Sequence, residues 1–179
     1  ELSIGLKSIG FKKGDVLALI GDNKPEWVFF ELACHANGGM SLGIYRDTLD
    51  EEVGYLVKSA KVKFAYAEDQ EQVDKLINVQ KKLKTKIKVI YDDPRGLEKL
   101  KNPNVINMKD LASEGKKQLD KNNKVYENLI NKVSGETVSV LCTTSGTTSN
   151  PKLAMLPANK FINHISNYLK VDPKSHLDE

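Results

Sequence analysis

Apolar positions along the chain fall into short unbroken runs separated by longer stretches with helical spacing. Val16-Leu-Ala-Leu-Ile20, Met40 to Tyr45, Val62 to Ala67 and Ile87 to Tyr91 read as strands. Continuous rather than alternating apolarity predicts burial on both faces, as in a parallel sheet. Between them, Glu26 to Asn37, a segment through about Lys58, and Glu68 through Val79 carry apolar residues at helical spacing. Leu2, Ile4, Leu6 and Ile9 suit the last turns of an opening helix that Gly10 ends. Asn23 is the expected cap and Pro25 a first-turn residue of the helix that follows; Thr48 or Asp50 is expected to cap the next one. Trp27, Phe29 and Phe30 read as core.

Asp92 to Asn104 reads as a loop, Val105 to Met108 as a short strand, and Lys109 onward as a helix that Asn122-Asn123 breaks. Tyr126 to Val133 is a weaker helical pattern. Val138-Ser-Val-Leu-Cys142 is another buried strand, Leu153 to Leu156 its expected partner, and a last helix begins at Pro157-Ala158. Strands alternating with helices imply βαβ units, hence an α/β fold with a mostly parallel sheet flanked by helices.

The chemistry concentrates after Cys142. Thr143, Thr144, Ser145, Thr147, Thr148 and Ser149 surround Gly146, and Lys152 closes the stretch. Backbone N–H groups, hydroxyl donors and a fixed cation suit a polyphosphate. The spacing differs from a Walker loop: Pro151 stands where its second Gly belongs and Leu153 where its Ser/Thr belongs.

Composition is that of an ordinary globular domain of 179 residues, 40% hydrophobic and 28% charged. A net charge of +3 gives no argument for nucleic acid. Positive charge is local, in Lys81 to Lys88 and Lys116-Lys117; the first run reads as a solvated helix end leading into a strand, with a peripheral membrane-surface or acyl-carrier contact as the lesser reading. Cys34 and Cys142, far apart and inside apolar segments, read as small buried hydrophobes. Without a disulfide framework, metal-ligand spacing or membrane-spanning run, a cytoplasmic setting is expected.

The stretch Thr144-Ser-Gly-Thr-Thr-Ser-Asn-Pro-Lys-Leu153 resembles the T-S-G-T-T-G-x-P-K-G signature of the adenylate-forming enzymes, with Ser149 and Leu153 standing where that signature has Gly. Gly10-Phe-Lys-Lys-Gly-Asp15 and Asn23-Lys-Pro-Glu-Trp27 are similar to the first nucleotide-fold unit of acyl-CoA synthetases. Gly43-Ile-Tyr-Arg-Asp-Thr-Leu49, Glu52-Val-Gly-Tyr-Leu56 and Ala67 to Lys75 resemble the long-chain fatty acyl-CoA synthetase branch. The resemblance implies that residues 1–179 are part of a large N-terminal adenylation domain, cut at both ends, with the C-terminal domain lying beyond. It implies a parent enzyme that activates a fatty acid with ATP and Mg²⁺ to an acyl-adenylate and passes the acyl group to coenzyme A.

By the same resemblance Thr144, Ser145, Gly146, Thr147, Thr148, Ser149 and Lys152 would bind the ATP phosphates. No residue of the chain is expected to act as acid or base, and the chain alone is expected to be inactive. The family's usual Ser-His pair after the loop reads Pro157-Ala158 here. The alternatives are an aryl or short-chain acid ligase, a non-catalytic phosphate-binding module, and, more weakly, a flavodoxin-like regulatory domain. In the last of these the phosphate loop would follow the first strand.

Overall fold

The computed structural model describes residues 1–144 and 151–172. Its centre is one sheet in which β1 (Val16–Ile20), β2 (Met40–Ile44), β3 (Phe64–Ala67), β4 (Lys88–Tyr91), β5 (Val105–Asn107), β6 (Val138–Thr144) and β7 (Lys152–Pro157) lie in the order β5-β4-β3-β1-β2-β6-β7. All neighbours are parallel except β6 and β7, which form an antiparallel pair at one edge. The mostly parallel α/β architecture expected from the hydrophobic pattern is present.

The unbroken apolarity of β1 has a direct cause. Val16, Ala18 and Ile20 enter a core on one face with Val53, Leu56 and Leu76, while Leu17 and Leu19 enter a second core with Phe30, Tyr66 and Leu111. Side chains alternate between faces along a strand, so a strand covered on both sides needs an apolar residue at every position. The first core is roofed by α3 (Asp50–Ser59) and α4 (Gln70–Leu83). The second is covered by α1 (Leu2–Ser8), α2 (Pro25–Ala36) and α5 (Met108–Lys121). A short α6 (Val125–Ile130) leads to β6, and α7 (Ala158–Val171) follows β7.

Three local expectations are corrected. Lys24, not Asn23, caps α2, because Pro25 occupies the first helical position and forces the residue before it into extended backbone. Leu49, not Thr48 or Asp50, is the cap of α3, and Asp50, Glu51 and Glu52 instead fill its positively polarised first turn. Phe30 is fully buried and stacks on Tyr66 at 4.7 Å, but Phe29 is 52% exposed on the outer side of α2.

Helices α3 and α4 end in the same way. The Val62 N–H reaches the Val57 carbonyl at 3.0 Å and the Thr85 N–H the Gln80 carbonyl at 3.2 Å. Between them Lys61 and Lys84 sit at φ +53° and +51°. This is the turn that usually takes Gly; here both positions are lysine.

Candidate functional site

Strand β6 brings the hydroxyl-rich stretch to the end of the sheet where the parallel strands finish, and β7 returns beside it. Thr144 pairs with Lys152 in register, and the Thr144 hydroxyl donates to the Lys152 carbonyl at 3.4 Å. The two ends of the candidate phosphate loop therefore stand side by side at the mouth of a hairpin. Ser145, Gly146, Thr147, Thr148 and Ser149 lie outside the described residues. The Lys152 side chain is exposed and makes no ion pair among the described residues.

Two anchors hold this hairpin to the body of the sheet. Tyr55, on α3, donates its hydroxyl to the Pro151 carbonyl at 3.1 Å. On the strand side, His35 Nε2 lies 2.8 Å from the Ser139 carbonyl and 3.1 Å from Ser41 Oγ, and Ser41 donates to Glu31 at 2.9 Å. A carbonyl only accepts, so the His35 proton sits on Nε2 and points at Ser139. The pairing of β2 with β6 covers only Ser41↔Val140 and Leu42↔Leu141, so this side-chain network reinforces a short ladder. Neither anchor is visible as a motif; Tyr55 sits within the stretch that resembles the long-chain branch, which was its only signal.

A cleft of about 330 Å³ opens at the ends of β1, β2 and β6, next to the hairpin mouth, with Trp27, Gly43, Tyr45, Cys142 and Thr143 in its walls. A Cβ on Gly43 would stand 3.3 Å from Trp27 Cζ2, so the glycine lets the indole lie across β2. Trp27, expected in the core, is therefore half-buried in the wall of a cleft. Cys142, expected buried, is exposed between this cleft and a mostly apolar one of about 440 Å³ that α2, β6, β7 and α7 enclose. Both faces of β1 are covered along its whole length, but the last three residues of β6 run past that cover.

The ends of β1 and β3 carry a different chemistry. The order of strand addition reverses between them, β2 lying on one side of β1 and β3 on the other, the usual position of a ligand crevice in such folds. Here Glu68 fills it, accepting the Asp22 N–H at 2.6 Å and pairing with Lys24. Arg46 bridges Asp22 at 2.6 Å and Asp69 at 3.5 Å. Burial pushes the Glu68 carboxyl up, but the Asp22 N–H, Lys24 and Arg46 outweigh it and hold it below the usual carboxylate value. Arg95 holds neighbouring Asp93 down to about 2, while burial beside Glu26 raises Asp92. A crevice already filled by paired carboxylates does not attract phosphate, so the flavodoxin-like arrangement, with a phosphate loop after the first strand, is absent. Among the described residues no group of three or more His, Cys, Asp or Glu is arranged to hold a metal ion.

Comparison with known proteins gives this arrangement a family. The chain is 29% identical over 157 residues to the long-chain-fatty-acid–CoA ligase ACSBG1 of Rattus norvegicus, covering 87% of this chain and 21% of that protein. It is 31% identical over 157 residues to long-chain-fatty-acid–CoA ligase 5 of Rattus norvegicus, covering 86% and 22%. The chain thus spans about a fifth of the length of these relatives. In fold it matches the luciferase-like enzyme of the nonluminescent mealworm Zophobas morio with a TM-score of 0.70 at 13% identity, over 94% of this chain and 36% of that one. The sequence model of the family described as AMP-binding enzyme matches residues 1–178, and by that match along nearly its whole length the chain belongs to the AMP-binding enzymes.

Proposed function

We propose that this chain supplies the phosphate-binding part of an ATP-dependent acid–thiol ligase, with a long-chain fatty acid as the acid. The observation that carries the reading is the β6–β7 hairpin, which sets Thr144 and Lys152 side by side at the finishing ends of the parallel strands. In this reading Thr144, Ser145, Gly146, Thr147, Thr148 and Ser149 offer donors to the β- and γ-phosphates of ATP·Mg²⁺, and Lys152 offers charge. The fatty acid carboxylate attacks the α-phosphorus, the bond to the β-phosphate oxygen breaks, and pyrophosphate leaves. The thiolate of coenzyme A then attacks the acyl carbonyl and AMP leaves with the bonding pair. The loop's part is to hold the phosphates and offset charge that grows on the departing pyrophosphate, a task of positioning and electrostatics.

The long-chain assignment draws on the names of the relatives and on the stretch around Gly43 to Leu56. The 179-residue chain on its own, which spans about a fifth of those relatives, is expected to bind nucleotide weakly and to form no adenylate. The test is acid-dependent ATP–pyrophosphate exchange by the intact protein with palmitate, wild type beside Lys152→Ala. The variant is expected to lose about a hundredfold or more, the scale of removing a group aimed at developing charge. Exchange with benzoate or acetate but not palmitate would reassign the acid, and exchange with none would leave a phosphate-binding module without the reaction.

A further inference from the structure

The end of the sheet opposite the hairpin mouth carries a charge pattern that acid activation does not use. Two shallow cavities lie side by side where the parallel strands begin. One, of about 590 Å³, is lined by Lys58, Lys61, Lys63 and Lys82. The other, of about 340 Å³, is lined by Lys12, Lys63, Lys86 and Lys88. Asp15 is the one carboxylate that lines either of them. It pairs with Lys63, and Lys88 donates to the Ile9 carbonyl at 2.5 Å. Lys12, Lys58, Lys61, Lys82 and Lys86 are exposed and make no ion pair among the described residues.

Lysines in a last helical turn are explained by the negative end of the helix dipole, and Lys58 and Lys82 have that role. It does not extend to Lys61 beyond α3, to Lys63 and Lys86 in the segments entering the sheet, or to Lys12 before β1. Meanwhile Asp22, Glu68, Asp69, Asp92 and Asp93 sit at the other end of the same strands. There Asp22, Glu68, Asp69 and Asp93 are paired with Lys24, Arg46 and Arg95, whereas Lys12, Lys58, Lys61, Lys82 and Lys86 of the two cavities have no acidic partner among the described residues.

We propose that this lysine face docks on an anionic lipid surface. Its cations are all lysine: compact point charges on flexible stems that suit a diffuse layer of headgroups, where arginine's planar fork suits bidentate contact with single phosphates. Phe64, the aromatic residue in these walls, is buried, so no exposed ring offers a stacking platform for nucleic acid bases. Docking by this end leaves the hairpin mouth facing away from the bilayer, open to soluble nucleotide and thiol. The choice of a lipid partner rests on the acid-activating reading, since long-chain acids partition into membranes.

The test is sedimentation of the intact protein with phosphatidylcholine vesicles, with and without phosphatidylserine. Binding is expected only with phosphatidylserine, weakening as salt rises. Lys61→Glu with Lys82→Glu and Lys86→Glu is expected to weaken it about a hundredfold at low salt. ATP–pyrophosphate exchange with a soluble acid, read on the same preparations, is expected to stay unchanged, so that a failure of the docking face and a failure of the ligase reading are told apart. If circular dichroism shows the charge reversals to misfold, the three Lys→Gln variants decide, with a smaller expected loss. No binding by wild type at low salt, full binding by the variants, or tighter binding to single-stranded RNA than to the vesicles would each overturn the proposal.

Discussion

At the scale of single residues, Glu68 decides what the strand ends can do. Its carboxylate is buried, fixed by the Asp22 N–H and the Lys24 ammonium with Arg46 nearby, and holds below its ordinary value. A carboxyl depressed in the fold contributes stability that is complete above its unfolded value of about 4.3 and disappears as pH falls from there through the folded value. Urea unfolding followed from about pH 7 to about pH 3 should therefore show a steep acid limb in wild type and a shallower one in Glu68→Gln. At neutral pH that substitution should cost about 1–2 kcal/mol, since Lys24 and the Asp22 N–H lose a charged acceptor. None of this was legible in advance: Glu68 read only as one of several acids opening a helix. Its partners Asp22 and Lys24 are distant in sequence and meet it only through the pairing of β1 with β3. The same limit explains Cys142, whose apolar flanks predict burial but whose side faces a cleft at the sheet edge.

Helix ends show where local pattern suffices and where it does not. The bounds of α1 and β1 follow from apolar spacing and Gly10, because each signal lies within a few residues of the feature it sets, whereas α4, read from Glu68 through Val79, spans Gln70–Leu83. The caps of α2 and α3 escaped, because Pro25 and the extended Leu49, not a capping side chain, set the turn. The twin endings of α3 and α4 place lysine in left-handed backbone, which disfavours any residue with a Cβ. Lys61→Gly and Lys84→Gly should each raise stability by about 0.5–1 kcal/mol, read as a higher urea midpoint. Lys→Ala at either position keeps the Cβ and should leave the midpoint nearly unchanged. Charge on that face is thus kept at the expense of stability.

For the whole molecule, the mostly parallel sheet and the burial of its strands on both faces were readable because the alternation of strand and helix repeats through most of the chain, whereas the strand order was not. The hairpin's two ends were readable from the motif, while the tertiary anchors at Tyr55 and His35 were not. The outer surface departs from what an isolated domain shows. Phe161, Ile162, Ile165 and Tyr168 form an exposed stripe on α7, with Ile162 at 60% exposure, and Val28, Phe29 and Leu32 are exposed on α2. Contiguous apolar area of this kind marks a surface made for cover. The 179-residue chain alone should bind an apolar dye such as anilinonaphthalene sulfonate strongly, and Ile162→Lys with Ile165→Lys should remove most of that signal. An unchanged signal would mean that the stripe is not what the dye finds.

The short ladder between β2 and β6 also governs the order of assembly. Ser41 meets Ser139 across 98 residues of chain, whereas β1, β2, β3 and β4 join through nearer neighbours. Contacts that close so long a loop form late, after the local units have offset their own entropy. The strand leading to the candidate phosphate loop is therefore set to arrive last, on an edge of β2 that stays open until then. A chain paused during synthesis before residue 138 would hold most of its core and none of the candidate phosphate loop, with that open edge as its point of vulnerability to aggregation.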